Sequence, residues 1–177
     1  LTAGLNGNVG TLRLNGALRL NSGGRLLCKL SLAGNDRFTV KGAITHNGDT
    51  LLIRIPENRT LAAGNELTVF NSGFTSATGE PVVKCEASGK YYEFDLSTLN
   101  TDGKIRVTKV GDNADVNRDG SVDVADIAYV IEVMAGNDAG DTSTYAIADV
   151  NKDGTVDVAD IASIISRMAE LARLANS

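Results

Sequence analysis

The chain has 177 residues, enough for one core of ordinary size or two small ones, and its 42% hydrophobic and 22% charged residues are the balance of a globular protein. It contains no run of about 18 apolar residues, which argues against a membrane-spanning helix. No basic stripe interleaved with aromatics appears either, which argues against nucleic acid as a partner. The net charge of -5 is unevenly divided: residues 1–110 carry 13 Lys+Arg against 9 Asp+Glu, a net +4, and residues 111–177 carry 4 against 13, a net −9. A block that acidic repels itself unless cations neutralise it or solvent surrounds it. Because the chain opens at Leu1 without a Met or a leader, the expectation is a cut from a longer polypeptide.

The stretch from Leu1 to Val110 follows period two. TLRLNGALRLNSGGRLLCKLSL alternates apolar and polar residues between Asn-Gly and Gly-Gly breaks, and further strands are expected at Arg37–Val40, Thr50–Ile55, Glu66–Phe70, Pro81–Cys85, Tyr91–Leu96 and Ile105–Val110. Short strands so closely spaced predict an all-β domain over residues 1–110, either a solenoid or a sandwich. The order of strands, Gly and Asn-Gly turns between about Gly10 and Gly79 loosely resembles the terminal coils of right-handed β-helices in autotransporter-like surface proteins. That resemblance favours the solenoid end, with a β-sandwich of carbohydrate-binding type as the alternative.

Two cysteines lie in this half, neither in a Cys-x-x-Cys pair. Alternation puts Leu26, Cys28, Leu30 and Leu32 on one strand face and Val83, Cys85 and Ala87 on another, so both thiols are expected inside, as buried free cysteines or as a disulfide. The single histidine, His46, falls in a turn-like THNGD segment and is expected to be exposed. No Ser or Cys has an evident base beside it, and tryptophan, the usual sugar platform, is missing. The fragment is therefore not expected to be an enzyme, although a catalytic domain in a missing N-terminal part of the parent is compatible with the sequence.

After Gly111 the chain writes one acidic phrase twice, DVNRDGSVDVADI from Asp115 and DVNKDGTVDVADI from Asp149. In each copy oxygen-bearing residues occupy loop positions 1, 3, 5, 7, 9 and 12: Asp115, Asn117, Asp119, Ser121, Asp123 and Asp126, then Asp149, Asn151, Asp153, Thr155, Asp157 and Asp160. Calcium takes six to eight oxygens at roughly 2.3–2.6 Å, and alternate residues of a tight loop can turn carboxylates inward together. Gly120 and Gly154 stand at position 6, where the loop must turn sharply. Position 7 supplies a backbone carbonyl and position 9 acts through water, while position 12 is Asp where a helical calcium hand usually has Glu. Two bound calcium ions are expected. A helix should follow each loop, its apolar stripe running through Val124, Ile127, Ala128, Ile131 and Met134, then Val158, Ile161, Ala162, Ile165 and Met168. Gly136 should stop the first helix, and turn formers from Asn137 to Tyr145 should precede a short element ending near Ala148.

From Asp115 to about Leu171 the chain resembles a type I dockerin, the duplicated calcium module that binds cohesin domains in cellulosomes. The resemblance implies a small all-α domain over residues 111–177, two calcium segments packed antiparallel, and a cohesin-like partner in an extracellular, secreted or bacterial cell-surface setting. It also implies partner contacts at positions 10 and 11, where dockerins often carry hydroxyl pairs. Here those positions hold Val124-Ala125 and Val158-Ala159; position 18 holds Glu132 and Ser166, and Arg167 is the one base nearby. Either the Val-Ala pairs form a contact surface of a different kind, or they pack inside the module. Two alternatives accompany binding in trans: the module docks in cis on its own β domain as a structural cap, as the short joint TKVGDNAD suggests, or it stabilises a β domain that binds polysaccharide.

Overall fold

The strands expected near the start of the chain pair across distances no local pattern reveals. The computed structural model describes residues 1–4, 8–31, 34–71, 74–136 and 142–176. It divides into two compact units, Leu1–Val110 and Gly111–Ser177.

In the first unit, β1 (Thr11–Leu14), β2 (Leu18–Asn21) and β3 (Arg25–Ser31) lie along three successive stretches of chain, and after the two-residue β4 (Gly34–Asn35) the series is repeated by β5 (Arg37–Val40), β6 (Ile44–Asn47) and β7 (Thr50–Arg54). Further on, past β8 (Glu66–Thr68), the short β9 (Phe70–Asn71), β10 (Ala77–Thr78) and β11 (Val82–Glu86) repeat it again. All three series pair in parallel, giving the ladders β1-β5-β9, β2-β6-β10 and β3-β7-β11. The register is set by pairs such as Thr11↔Arg37 and Arg25↔Thr50 at the first step and Phe38↔Phe70 and Ile44↔Ala77 at the second, so the second pass takes a longer route than the first.

Parallel register stacks like on like. Leu12, Phe38 and Phe70 form one column, Leu26, Leu51 and Val83 another, and Cys28, Ile53 and Cys85 a third. Because side chains alternate along each strand, these columns share one face and fill the core, where Leu26, Cys28, Phe38, Val40, Ile44, Leu51 and Ile53 are wholly buried. The two cysteines therefore lie in one ladder on one face rather than on two. They sit two rungs apart, roughly 9.6 Å at the usual strand spacing, beyond disulfide reach. Both are free, Cys28 buried and Cys85 half-buried. Leu32, expected to extend the Cys28 face, lies outside the described residues.

Beyond the ladders, β8 joins β12 (Lys90–Asp95) and β13 (Lys104–Asp112) in a separate sheet of order β12-β13-β8, with β8 and β13 antiparallel. A single turn of helix, α1 (Leu99–Asp102), ends in Gly103, whose left-handed φ of 69 no larger residue would accept here. A Cβ on Gly103 would stand 2.1 Å from the Phe70 carbonyl oxygen. Tight approach is the reason: the Gly103 carbonyl accepts hydrogen bonds from both Val69 and Phe70 N–H. At another corner, Asp36 is fully buried between the Lys29 ammonium at 2.6 Å and the backbone N–H groups of Lys29 and Gly10.

His46 is not the exposed turn residue its THNGD context suggested. It lies in β6, directed inward like Ile44 two residues earlier, with its side chain 1% exposed and its Nδ1 3.0 Å from buried Asp49. The Phe70 ring lies nearby, tilted by 52° with 5.9 Å between ring centres. The strand continues through Asn47 and turns only at Gly48, so the turn signal sat one step later than the histidine.

The second unit has α2 (Val124–Met134), α3 (Thr142–Ala148) and α4 (Val158–Ala175). Gly136 follows α2 in left-handed conformation, and α3 is already helical by Thr142, inside the stretch expected to be turns. The remainder of that stretch, residues 137–141, is outside the described residues. The core is small: Ala114, Val116, Val130, Val133, Ala148 and Ile164 are buried, with Ile127, Tyr129, Ile161 and Met168 packed against them. The apolar stripe read from the sequence is divided between two faces. Val124, Ile131 and Met134 face outward at 69%, 51% and 41% exposure. Since α2 is apolar almost all round, periodicity offered two faces, and packing against α3 and α4 selected the one through Ile127, Val130 and Val133.

Candidate calcium loops and apolar helix faces

Each acidic loop folds by handing its own carboxylates and amides to its backbone. In the first, Asp115 is buried and its Oδ2 accepts the Gly120 N–H at 3.1 Å; Asn117 Oδ1 accepts Asp119 N–H and Asp119 Oδ1 accepts Ser121 N–H, both at 2.9 Å. The second reproduces this: Asp149 Oδ2 with Gly154 N–H at 3.1 Å, Asn151 Oδ1 with Asp153 N–H at 2.9 Å, Asp153 Oδ1 with Thr155 N–H at 2.9 Å. Side chains that curl the chain onto itself this way draw alternate residues to the concave side of the loop. Gly120 and Gly154, at φ 101 and 93, make the bend between them.

The loop then becomes a helix through a reciprocal cap. Asp123 accepts Ala125 N–H at 2.8 Å and Asp157 accepts Ala159 N–H at 2.7 Å, while Asp126 and Asp160 reach back to the N–H of Asp123 and Asp157, both at 2.9 Å. Two orphan donors of each helix N-terminus are thereby satisfied. The position-12 acids do more. Asp126 Oδ1 also accepts Asn117 N–H at 3.2 Å and Asp160 Oδ1 accepts Asn151 N–H at 3.1 Å, so each ties the start of its loop to the helix. Both carboxylates are wholly buried. Burial pushes the Asp126 carboxyl above the ordinary range, against the lowering pull of the N–H groups of Asp123, Asn117 and Val116.

Among the described residues, no three His, Cys, Asp or Glu side chains are drawn together at metal-holding spacing. The donor set nevertheless fits a hard cation. It consists of carboxylate, amide and position-7 backbone carbonyl oxygens, it centres on a buried acid in each loop, and a divalent ion would supply the positive charge that burial makes costly to lack. The residues that would hold it are Asp115, Asn117, Asp119, Ser121 and Asp126 in the first loop and Asp149, Asn151, Asp153, Thr155 and Asp160 in the second. Asp123 and Asp157, committed to helix caps, suit a water-mediated place.

The sequence of this unit matches a family model over residues 113–169, that of the dockerin type I domain. This segment is a type I dockerin domain. No curated protein and no solved structure matches the chain. A dockerin is a calcium-dependent protein–protein interaction module, so the outward faces of its helices matter as much as the loops.

Those faces are nearly identical. Val124 of α2 and Val158 of α4 are each 69% exposed, Ile131 and Ile165 each 51%, and Ala125, Ala128, Ala159 and Ala162 lie beside them. The Val-Ala pairs lie on the dockerin surface, and the structure adds Ile131 and Ile165 to the same exposed faces. Their signal was present: each lies two helical turns beyond the exposed Val, along the same face. Arg167 stands apart from this pattern. Its Nε is 2.7 Å from Asp112 and another guanidinium nitrogen 2.6 Å from Glu170, so the cation is engaged within the unit. No helix among the described residues is long and apolar enough to cross a membrane.

Proposed function

We propose that the dockerin unit holds two calcium ions and presents the apolar faces of α2 and α4 to a cohesin-like partner protein in trans, anchoring its parent in an extracellular or cell-surface assembly. The observation that carries this reading is the matched exposure of Val124 with Val158 and of Ile131 with Ile165. A unit whose own core is so small leaves its two largest branched pairs in water, where each is a standing cost unless something covers it. In the same reading unit 1 is the end of a solenoid. Three parallel ladders, each built from three successive passes of the chain, support stacked coils, and parallel pairing is foreign to a sandwich of hairpin-linked strands. In this reading the chain acts by binding, and the enclosure of His46 against Asp49 and Phe70 is in keeping with that.

The test is calorimetric titration of the full chain with purified cohesin modules, in calcium and then in chelator. Calcium-dependent binding that disappears when Ile131 and Ile165 are both changed to Asp supports the reading. Binding indifferent to those changes removes the apolar faces from it. Binding by residues 111–177 alone but not by the full chain turns it toward a module that docks on its own chain.

A further inference from the structure

Two residues in the dockerin unit sit where their side chains do not belong. Arg118 and Lys152 are the non-glycine residues with positive φ among those described, at 59 and 63, and they occupy position 4 of the two loops. A left-handed backbone crowds the Cβ of an L-residue against the following carbonyl oxygen. Glycine relieves that clash, and both loops use it two residues later, at Gly120 and Gly154. At position 4 both loops carry a long cation instead.

We propose that Arg118 and Lys152 hold down the calcium affinity of their loops, through strain in the backbone and through positive charge beside the ion. The proposal rests on the calcium reading above. The strained residue cannot relax without opening the site. Asn117 Oδ1 bonds the N–H of Asp119 across Arg118, and Asn151 Oδ1 bonds that of Asp153 across Lys152, each at 2.9 Å, so the turn that gathers positions 3 and 5 is the turn that forces position 4 left-handed. Part of the free energy of holding an ion is then spent holding this conformation. Charge acts in the same direction, because each cation stands in sequence between two proposed ligands and a positive charge on the loop repels a divalent ion. Lys152 is kept near its loop, with its ammonium 3.0 Å from the Ala146 carbonyl in the last turn of α3, where carbonyls favour a cation. Outliers of this kind persist where function maintains them.

The full chain is titrated calorimetrically with calcium chloride, as the wild type and as Arg118→Gly, Lys152→Gly and the two alanine variants, with melting followed in calcium and in chelator. Each glycine variant should tighten one site by about fivefold to tenfold, as relieved strain with some lost repulsion requires. Each alanine variant, which loses charge but keeps Cβ, should tighten its site by about twofold at most. A wild type that gives no calcium binding heat defeats the calcium reading and this inference together. A wild type that binds while the glycine variants bind equally or more weakly defeats the inference alone. So does a glycine variant that raises the melting temperature as much in chelator as in calcium, since the strain would then belong to the fold and not to ion binding.

Discussion

The two units solve the problem of a small core in opposite ways. Unit 1 stacks residues against their own kind across parallel ladders, so that Phe38 meets Phe70 at 6.3 Å between ring centres and Leu26 meets Leu51 in register. Its buried polar groups come in pairs, Lys29 with Asp36 and His46 with Asp49. Unit 2 has a short apolar core and two wholly buried carboxylates, Asp126 and Asp160, whose described partners are backbone N–H groups. Units below about 70 residues usually need a staple beyond the hydrophobic effect. The lesson is that unit 1 carries its own stability while unit 2, if it holds the proposed calcium ions, borrows it from them.

Chelation should therefore separate the two more sharply than any mutation. With both sites saturated at about 100 times their dissociation constants, each ion contributes roughly 2.7 kcal/mol, comparable to the whole stability of so small a unit. Chelator should abolish the helical circular dichroism of unit 2 and leave the β signal of unit 1 in place, and Asp126→Ala or Asp160→Ala should reproduce much of that loss with calcium present. A melting profile indifferent to calcium would break the comparison.

The reverse cut falls on Phe70. It packs on Phe38, His46 and Phe74, and its replacement by Ala should cost unit 1 about 3–5 kcal/mol as a large-to-small core change. Denaturant unfolding should show the β transition moved to lower concentration and the calcium-loaded helical transition unmoved. If both move together, the units do not unfold separately.

What the sequence made legible follows from the range of the forces involved. The loops are local, since Asp, Asn and Gly at fixed spacing bond to N–H groups within the same loop, and α2 begins at Val124 because Asp123 caps it. Arg37–Val40 alternates cleanly and forms β5 with those bounds. Pairing is non-local, and nothing in RLLCKLS states that its partner is TLLIR in the next pass of the chain, so Cys28 and Cys85 could not be placed on one face. The inward face of α2 was hidden for another reason: an apolar helix gives periodicity nothing to choose between, so one stripe takes in both Ile127, packed on the core, and the exposed Ile131. His46 was misjudged because a polar residue beside Asn-Gly reads as a turn unless the buried acid just beyond it, Asp49, is recognised as its partner.

Alkaline pH should expose a milder difference. Burial pushes the Cys28 thiol from the ordinary 9.0 to about 11 and the Cys85 thiol to about 12. Between pH 9 and 11 the unfolded chain releases these protons while the folded chain keeps them, so the unfolded state binds fewer protons and stability falls as pH rises. Below pH 9 that contribution is absent as a slope, and the folded and unfolded chains hold the same thiol protons. Unit 1 alone carries cysteine, so its denaturation midpoint should decline through this window, and a Cys28→Ala, Cys85→Ala chain should show a shallower slope. At mildly alkaline pH both thiols should react slowly with disulfide reagents, in calcium or in chelator alike, because only the thiolate attacks.

Arg167 gives the smallest and most discriminating effect. Its ion pairs with Asp112 and Glu170 are partly solvated, with a third of the arginine side chain exposed, so losing them should cost at most about 1 kcal/mol. Arg167→Gln should thus barely move the melting of unit 2. If the residue serves only to tie α4 to the segment before the first loop, Asp112→Asn will have the same small effect and neither change will alter partner binding. If Arg167 also reaches a partner, freeing it by Asp112→Asn should strengthen that binding while Arg167→Gln weakens it. Opposite signs from two ends of one ion pair are a result that stability alone cannot produce, and they would place a charged contact beside the apolar faces of α2 and α4.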